Sequence, residues 1–408
     1  MSADSGVRGS ALVLVVNAGS SSLKYSLVDA GSGEELADGL VERIGESSGA
    51  VTHRHGDDEH RDEREVADHE QALRAALDAF DEHGPSLDEV DIRAVGHRVV
   101  HGGARFSSPA LVDDALVAAV TDLVPLAPLH NPANLEGLQV ARKLFPDLPQ
   151  VAVFDTAFHQ TLPEHAYTYA VPRAWRDEHQ IRRYGFHGTS YAFVTGAAAD
   201  LLGRPVDELN LVILHLGNGC SVTAVERGRS VETSMGLTPL EGLVMGTRSG
   251  DLDPAVHAHL HRQLGWSLDD IDRALNKESG LRGLAGENDF RRLDQLREDG
   301  DAGADLAFAV YCHRIRKYVG AYYAVLGTVD AVVFTAGVGE NSATVRAHAL
   351  AGLDRLGIVV DEERNGVGRL TEPTVVSPEG SEVAVLVVPT NEEWEIARQT
   401  MAVVDGQS

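Results

Sequence analysis

Cysteine is scarce in this sequence of 408 residues, which contains only Cys220 and Cys312. Two cysteines exclude a disulfide framework and a cysteine-based zinc site. Long hydrophobic runs are also lacking: the apolar stretch Leu116–Leu129 is broken by Asp122 and Pro125, so it is no membrane-spanning helix. The apolar run Ala11–Val16 is too short for a signal peptide. The sequence therefore predicts a reduced, cytoplasmic protein without a membrane segment.

Positive charge is in deficit, with 35 Lys and Arg against 62 Asp and Glu and a formal net charge of −27. This balance argues against nucleic acid and against anionic membranes as partners, because both require a positive footprint. An anionic substrate would need a few local cations that work against the overall field. The hydrophobic fraction of 43% and the charged fraction of 24% are typical of a folded globular protein, and the length allows two or three domains.

Strands alternate with helices along the chain, which predicts an α/β protein. The first half opens with apolar runs at Leu12–Val16 and Leu23–Val28, separated by a turn of small residues. The second half repeats this order at Leu211–Leu214 and Ser221–Val225, and an offset of 198 residues superposes the two turns. The repeat predicts a duplicated unit with a cleft between the copies.

The sequence also predicts the bounds of the domains and the first residues of several helices. We expect an N-terminal domain over 1–160, completed by a C-terminal helix at 391–408, and a second domain over 161–390. Asn131, followed by a proline, is typical of a helix N-cap, and Ser190 is expected to cap another helix. Thr390 with Glu393 matches a capping box for the last helix. The charged stretch Gly49–His69 is interpreted as a solvated ribbon or loop rather than a metal site.

Three glycine-containing turns follow predicted strands, at Asn17–Lys24, His215–Gly219 and Thr335–Asn341. Backbone N–H groups and hydroxyls in such turns can hold phosphate oxygens, and a lysine adds a point charge. None is a P-loop, and the third turn lacks the last glycine of the dinucleotide fingerprint. Ordinary hairpin turns therefore remain the alternative for each.

Four polar residues lie in positions that favour ligand binding or catalysis. Arg98 and Arg248 lie close to glycines, which would let an anionic ligand approach a bidentate guanidinium. His187 lies in a glycine-containing loop before a helix, and Asp155 follows the buried-type strand Gln150–Phe154. The alternatives are surface ion pairs for the arginines, a structural histidine, and a helix N-cap for the aspartate.

Nine segments, in order, resemble the acetate kinase family, which belongs to the group with the duplicated actin, hexokinase and Hsp70 ATPase fold. They are Val13–Lys24, Gly96–Gly103, Leu126–Pro132, Phe154–His159, Tyr184–Ser190, His215–Gly219, Met245–Asp251, Phe334–Asn341 and Pro389–Glu393. The resemblance implies a two-domain, actin-like (ribonuclease H-like) α/β fold with central mixed sheets and an interdomain cleft. It also implies reversible, Mg²⁺- and ATP-dependent phosphorylation of acetate to acetyl phosphate with release of ADP, Mn²⁺ being an alternative metal, and a homodimer.

The resemblance further implies a role for each matching residue. By role, these are Asn17 and Glu392 for the metal; Lys24, His215, Leu216, Gly217, Asn218, Gly219, Asp289, Phe290, Arg291, Gly337, Val338, Gly339, Glu340 and Asn341 for the nucleotide; Arg98 for the acetate carboxylate; Val100, Leu129, Phe186 and Pro239 for its methyl group; and Asp155, His187 and Arg248 around the transferred phosphoryl group. The chain departs from the family at Glu287-Asn288, which leaves the choice of nucleotide open.

Elementary chemistry agrees with these roles. A carboxylate nucleophile is ionised at pH 7 and needs no general base. Asp155 is therefore interpreted as a metal or water-shell ligand, or as an orienting group. Two rival functions stay open. The first is a propionate or butyrate kinase, since one more methylene group in an apolar pocket changes the binding free energy by only about 1–3 kcal/mol. The second is a non-catalytic ATP-driven clamp of the same fold, which would not require Arg98 and Arg248.

Overall fold

The computed structural model describes residues 11–366 and 370–406. The outer ends of the predicted domain bounds, at residues 1 and 408, lie outside the described residues. The strands are β1 Leu12–Ala18, β2 Ser22–Asp29, β3 Glu35–Glu42, β4 Ala50–His55, β5 Asp58–Glu63, β6 Ile92–Val99, β7 Ala110–Leu111, β8 Gln150–Phe154, β9 Asn210–Leu216, β10 Cys220–Glu226, β11 Arg229–Thr233, β12 Ala331–Thr335, β13 Thr374–Val375 and β14 Ala384–Val387. The helices are α1 His69–His83, α2 Asp114–Asp122, α3 Asn131–Leu144, α4 Glu164–Tyr167, α5 Arg173–His179, α6 Gly188–Leu202, α7 Ala255–Leu264, α8 Leu268–Lys277, α9 Gly280–Ala285, α10 Phe290–Glu298, α11 Ala302–Leu326, α12 Ala336–Asn341, α13 Ala343–Leu350, α14 Glu362–Asn365 and α15 Glu392–Val404.

The chain forms two compact units. The first contains the described residues up to Ala157 together with those from Asn391 onward, and the second contains Phe158–Thr390. Each unit is built on one mixed sheet, with strand order β5-β4-β3-β2-β1-β6-β8-β7 in the first and β11-β10-β9-β12-β14-β13 in the second.

The two sheets share a core of five strands with the same order and directions. In the first unit β3, β2 and β1 are antiparallel neighbours, and β6 and β8 continue parallel to β1. In the second unit β11, β10 and β9 are antiparallel, and β12 and β14 continue parallel to β9. This common topology confirms the predicted duplicated, actin-like α/β fold.

Alternation along the central strands explains the layers of each unit. In β1, Leu12, Leu14 and Val16 pack in one apolar cluster with α1 side chains, whereas Val13 and Val15 pack in another with α15 side chains. Successive side chains of a strand point to opposite faces. The sheet is therefore covered on both sides, which explains why β1 is a continuous apolar run.

The charged stretch after Gly49 forms the hairpin of β4 and β5, so a ribbon is confirmed. The expectation that it is solvated is wrong for β4, whose first four residues are buried. Its second strand is exposed along its whole length. Within residues 11–366 and 370–406, no helix has the length and apolar character needed to cross a bilayer.

The predicted helix caps are wrong at three places. His130, not Asn131, precedes α3, because the Asn131 side chain bonds the backbone of His101 instead. Helix α6 begins at Gly188, so Ser190 lies inside its first turn. Asn391 caps α15 by accepting a hydrogen bond from the backbone N–H of the third helical residue, Trp394. Thr390 and Glu393 therefore form no capping box, and both side chains bond elsewhere.

Candidate functional site

In the first unit, Arg98 and Asp155 form a bidentate ion pair at the carboxyl ends of two parallel strands. Arg98 Nε donates to Asp155 Oδ1 at 3.0 Å and Arg98 Nη2 donates to Oδ2 at 2.7 Å. The Asp155 side chain is only 2% exposed. Because β6 and β8 run parallel, both residues lie at the same edge of the sheet. Asp155 therefore fixes the direction of the Arg98 guanidinium.

Glu392, in the first turn of α15, lies beside this pair, with Oε2 3.7 Å from Arg98 Nη2. Burial alone would lower the pKa of Arg98, but the carboxylates of Asp155 and Glu392 raise it. Burial also raises the pKa of Glu392, although Arg98 acts in the opposite direction. The sheet edge thus holds one fixed cation between two carboxylates.

Lys24 and Asn17 lie opposite each other in the β1–β2 hairpin. The ammonium group of Lys24 forms an ion pair with Glu393, which explains why Glu393 is not part of a capping box. Burial alone would lower the pKa of Lys24, but Glu393 raises it. The hairpin lysine is therefore a fixed positive charge next to Asn17.

Two residues predicted to contact a methyl group belong to the first unit. Val100 follows β6, and its backbone N–H donates to Asn134 Oδ1 at 2.9 Å. Leu129 is 54% exposed. The other two belong to the second unit, where Phe186 is 2% exposed and the carbonyl of Pro239 accepts a hydrogen bond from Arg248 at 3.2 Å.

In the second unit, the β9–β10 hairpin turn places Gly219 between two predicted phosphate ligands. A Cβ atom built on Gly219 would lie 3.5 Å from Arg248 Nη1 and 3.5 Å from His187 Nε2. The missing side chain thus leaves space in front of two nitrogen atoms that can donate hydrogen bonds. This geometry brings together two of the residues predicted to surround a phosphoryl group.

Arg248 carries its charge without an acidic partner among the residues that the structure describes. Its Nη1 group donates to the carbonyl oxygen of Pro239 and lies 3.8 Å from the Met245 sulfur. Burial lowers the pKa of this guanidinium, but an arginine side chain stays protonated in a folded protein. A half-buried cation without a carboxylate is a ready anion site.

His187 has a left-handed backbone, with φ of 59°, at the residue before α6. Its ring stacks on that of His215, with centroids 4.1 Å apart. His187 Nδ1 lies 2.8 Å from Ser221 Oγ, and His215 Nδ1 lies 2.9 Å from Ser190 Oγ. Ser190 in turn contacts Thr390 Oγ1 at 2.8 Å. Both imidazole rings are therefore oriented by buried hydroxyl groups.

The predicted third turn is instead the short helix α12, because Gly337 to Asn341 continue the helical hydrogen bonds after β12. It starts at Ala336, whose φ of 63° is unusual for a residue with a side chain. Ser342 caps the next helix, α13, by accepting a hydrogen bond from the backbone N–H of Val345 at 3.2 Å. The Glu340 carboxylate accepts from the backbone N–H of Thr390 at 3.1 Å.

The last predicted nucleotide residues start α10. Asp289 is the N-cap of α10 and pairs with Arg291, whose side chain is 90% exposed. Phe290 contacts the Tyr311 ring edge to face, with centroids 4.9 Å apart. The Glu287 carboxylate bonds the backbone N–H groups of Asn288 and Asp289 at 2.7 and 2.9 Å, so this departure from the family stabilises the loop before the helix.

Among the described residues, no group of three or more His, Cys, Asp or Glu side chains could hold a metal ion. The amide oxygen of Asn17 and the carboxylate of Glu392 are hard oxygen donors, which suit Mg²⁺. Magnesium is commonly held by one or two carboxylates together with substrate phosphates and water. The donor set therefore fits the expected metal, although it forms no cage of its own.

Three residues near these groups were missed by the sequence analysis: Tyr191, Arg346 and the hydroxyl of Ser221. Tyr191 follows His187 by one helical turn, a spacing that could have indicated contact with a common neighbour. Arg346 lies inside α13, and no feature of the sequence around it indicates a functional role.

Comparison with known proteins places these features in one family. The model of the acetokinase family matches residues 12–398. The chain is 58% identical to the acetate kinase of Clavibacter michiganensis subsp. michiganensis, over 97% of this chain and 100% of that protein. The crystal structure of Porphyromonas gingivalis acetate kinase superposes with a TM-score of 0.92 at 42% identity, covering 97% and 100% of the two chains. A propionate kinase from Francisella tularensis subsp. tularensis SCHU S4 superposes at 0.90 and is also 42% identical, covering 95% and 98%. The chain belongs to the acetokinase family.

Proposed function

We propose that this protein is an acetate kinase that transfers the γ-phosphoryl group of ATP reversibly to acetate. A carboxylate oxygen of acetate attacks the γ-phosphorus, and the bond from that phosphorus to the bridging oxygen of ADP breaks. The observation that carries the proposal is the pair of donors at Gly219, where Arg248 and His187 face the same open point. The family relationship supplies the expected substrates.

Arg98 is the residue assigned to the acetate carboxylate. Asp155 occupies its Nε and Nη2 groups, so the Nη1 side of the guanidinium is left for a second anion. The ion pair fixes the direction of that side before acetate arrives, which reduces the entropy lost on binding. Val100, Leu129, Phe186 and Pro239 are proposed to contact the methyl group.

Arg248 and His187 are proposed to bind oxygens of the transferred phosphoryl group. Donors that are already in place stabilise the charge of the transition state without reorganisation, and each is worth about 3–4 kcal/mol in comparable sites. No general base is required, since acetate is ionised at neutral pH. The His215–Gly219 turn, helix α12 and Asp289–Arg291, with Lys24, are proposed to contact the nucleotide.

Asn17 and Glu392 would hold Mg²⁺, with Mn²⁺ as an alternative. When bound, the metal would neutralise charge on the β- and γ-phosphates. A homodimer and a cytoplasmic location are part of the same proposal. Size-exclusion chromatography with light scattering measures the first, and a mass near 43.6 kDa would contradict it.

The test is ADP release from Mg-ATP in the presence of acetate, propionate or butyrate, with hydroxylamine to trap the acyl phosphate. We expect the highest kcat/KM with acetate. Arg98→Ala should abolish acid-dependent turnover, whereas Arg93→Ala, at an exposed position near the start of the same strand, should leave it unchanged. Preference for propionate would favour a propionate kinase, a candidate supported by the Francisella structure. A rate of ADP release that does not depend on any of the three acids would favour an ATP-driven clamp.

A further inference from the structure

Helix α3 places a buried amide group between the ends of two neighbouring strands. Strands β1 and β6 run parallel, and their last paired residues are Val16 and His97. Beyond this pair, the side chain of Asn134 joins the two backbones. Its Oδ1 atom accepts a hydrogen bond from the backbone N–H of Val100 at 2.9 Å, and its Nδ2 group donates one to the carbonyl oxygen of Ala18 at 2.7 Å. The side chain thus replaces the strand pairing that ends there.

The two backbone partners fix the orientation of this amide. A backbone N–H group only donates, so the amide atom that faces Val100 is the oxygen. A backbone carbonyl only accepts, so the amide atom that faces Ala18 is the nitrogen. Asn134 is 4% exposed, and each end of its amide has the partner that a buried polar group requires. The direction of both hydrogen bonds is therefore set by groups that have no alternative role.

A glycine on the same helix lets α3 come this close to β1. A Cβ atom built on Gly137 would lie 2.8 Å from the Cβ atom of Ala18, whereas carbon atoms in contact are separated by about 3.5–4.0 Å. Gly137 follows Asn134 by three residues, so the two share one face of the helix. The missing side chain at Gly137 therefore allows the amide to reach the strand end.

We propose that Asn134 is a positioning residue that fixes the nucleotide side of the site relative to the acetate side. The inference rests on the proposed function, which assigns Asn17 to the metal and Arg98 and Val100 to acetate. Ala18 directly follows Asn17, and Val100 lies two residues after Arg98. One amide therefore sets the distance between the backbones that carry the groups for the two substrates. In-line transfer depends on this spacing, because a displacement of reacting groups by about 1 Å lowers the rate about 100-fold.

Kinetics of an isosteric variant separate the two hydrogen bonds. At pH 8, Asn134→Asp keeps an acceptor for Val100 but turns a carboxylate oxygen toward the carbonyl of Ala18. We expect KM for Mg-ATP to rise about tenfold or more and kcat to fall, while KM for acetate stays within about threefold. Asn134→Leu removes both bonds and should raise both KM values.

The matched control is Asn131→Asp. Asn131 is a buried asparagine of the same helix, and both ends of its amide bond the backbone of one residue, His101. KM for Mg-ATP should therefore stay within about twofold of the wild-type value in this variant. Equal changes of both KM values in Asn134→Asp would overturn the proposal, as would unchanged kinetics in both Asn134 variants.

Hydrogen exchange measured by mass spectrometry supplies a readout that does not need turnover. Asn134→Leu should speed exchange in the segment around Val100 about tenfold or more, because the Val100 N–H loses its acceptor. Asn134→Asp should keep this exchange slow. Unchanged exchange in Asn134→Leu would overturn the proposal. If that variant does not fold, the KM values of Asn134→Asp decide the question. A wild type that phosphorylates no acid would contradict the proposed function, and the exchange result would show separately whether Asn134 holds the strand end.

Discussion

Replacing Arg346 with methionine would remove the side chain that holds helix α12 in the second unit. The Arg346 side chain is 1% exposed, and its Nη1 group donates to the carbonyl oxygens of Gly339 and Glu340, each at 2.9 Å. Its Nε and Nη2 groups donate to the side chain and backbone of Asn365 at 2.6 and 3.1 Å. Burial lowers the pKa of Arg346 to about 10, so the guanidinium remains charged at pH 7.

The expected loss of stability follows from the acceptors left behind. Methionine has a similar length but no donor, so the carbonyls at the end of α12 and the Asn365 oxygens lose their partner. Each unsatisfied buried acceptor costs about 1–3 kcal/mol. Part of this cost is recovered, because a buried charge without a carboxylate partner is itself unfavourable. We expect Arg346→Met to lower the free energy of unfolding by about 3–5 kcal/mol.

Urea unfolding followed by circular dichroism measures this loss. Arg355→Met is the control, because Arg355 is exposed and such surface changes usually stay within about 0.5 kcal/mol. Since α12 is proposed to contact the nucleotide, KM for ATP should also rise more than KM for acetate. A loss below about 1 kcal/mol would show that Arg346 does not hold the helix end, and equal changes in both KM values would refute its link to the nucleotide.

Three further predictions concern single side chains. Burial lowers the pKa of His97 to about 4, below the value near 6.5 in the unfolded chain. Because the unfolded state therefore binds the proton first as the pH falls, the free energy of unfolding should decrease by about 3 kcal/mol between pH 6.5 and 4. In urea unfolding measured at several pH values, His97→Leu should show a smaller decrease. Gly246→Ala would place a Cβ atom 2.1 Å from Asn218 Oδ1 and should raise KM for ATP, whereas Gly196→Ala, with open space around it, should not. Asn391→Ala should cost about 1 kcal/mol through loss of the α15 cap; an unchanged thermal midpoint would contradict this.

The positions of several strands were predictable because their signals are local. The apolar run Gln150–Phe154 coincides with β8, and both duplicated hairpins follow from apolar runs separated by glycine turns. The family and its kinase activity were predictable from nine ordered segments. The roles of individual site residues stay predictions.

The helix caps could not be predicted, because the deciding partners are distant in sequence. Asn131 has the right chemistry for a cap, but its amide is used by the backbone of His101, 30 residues away. Glu393 is drawn to Lys24 across 369 residues. A local pattern indicates which residues are able to cap a helix, and tertiary contacts determine which of them does so.

The partners of the two predicted ligand-binding arginines indicate why the reaction needs both. Arg98 shares its charge with Asp155 and Glu392, so its attraction for a further anion is reduced, which suits the single charge of acetate. Arg248 has no carboxylate partner among the described residues, in a chain with a net charge of −27. An arginine left unpaired in so acidic a chain attracts a multiply charged phosphate more strongly than one that is already neutralised. On the proposed function, this difference in pairing directs the carboxylate to Arg98 and the phosphoryl group to Arg248.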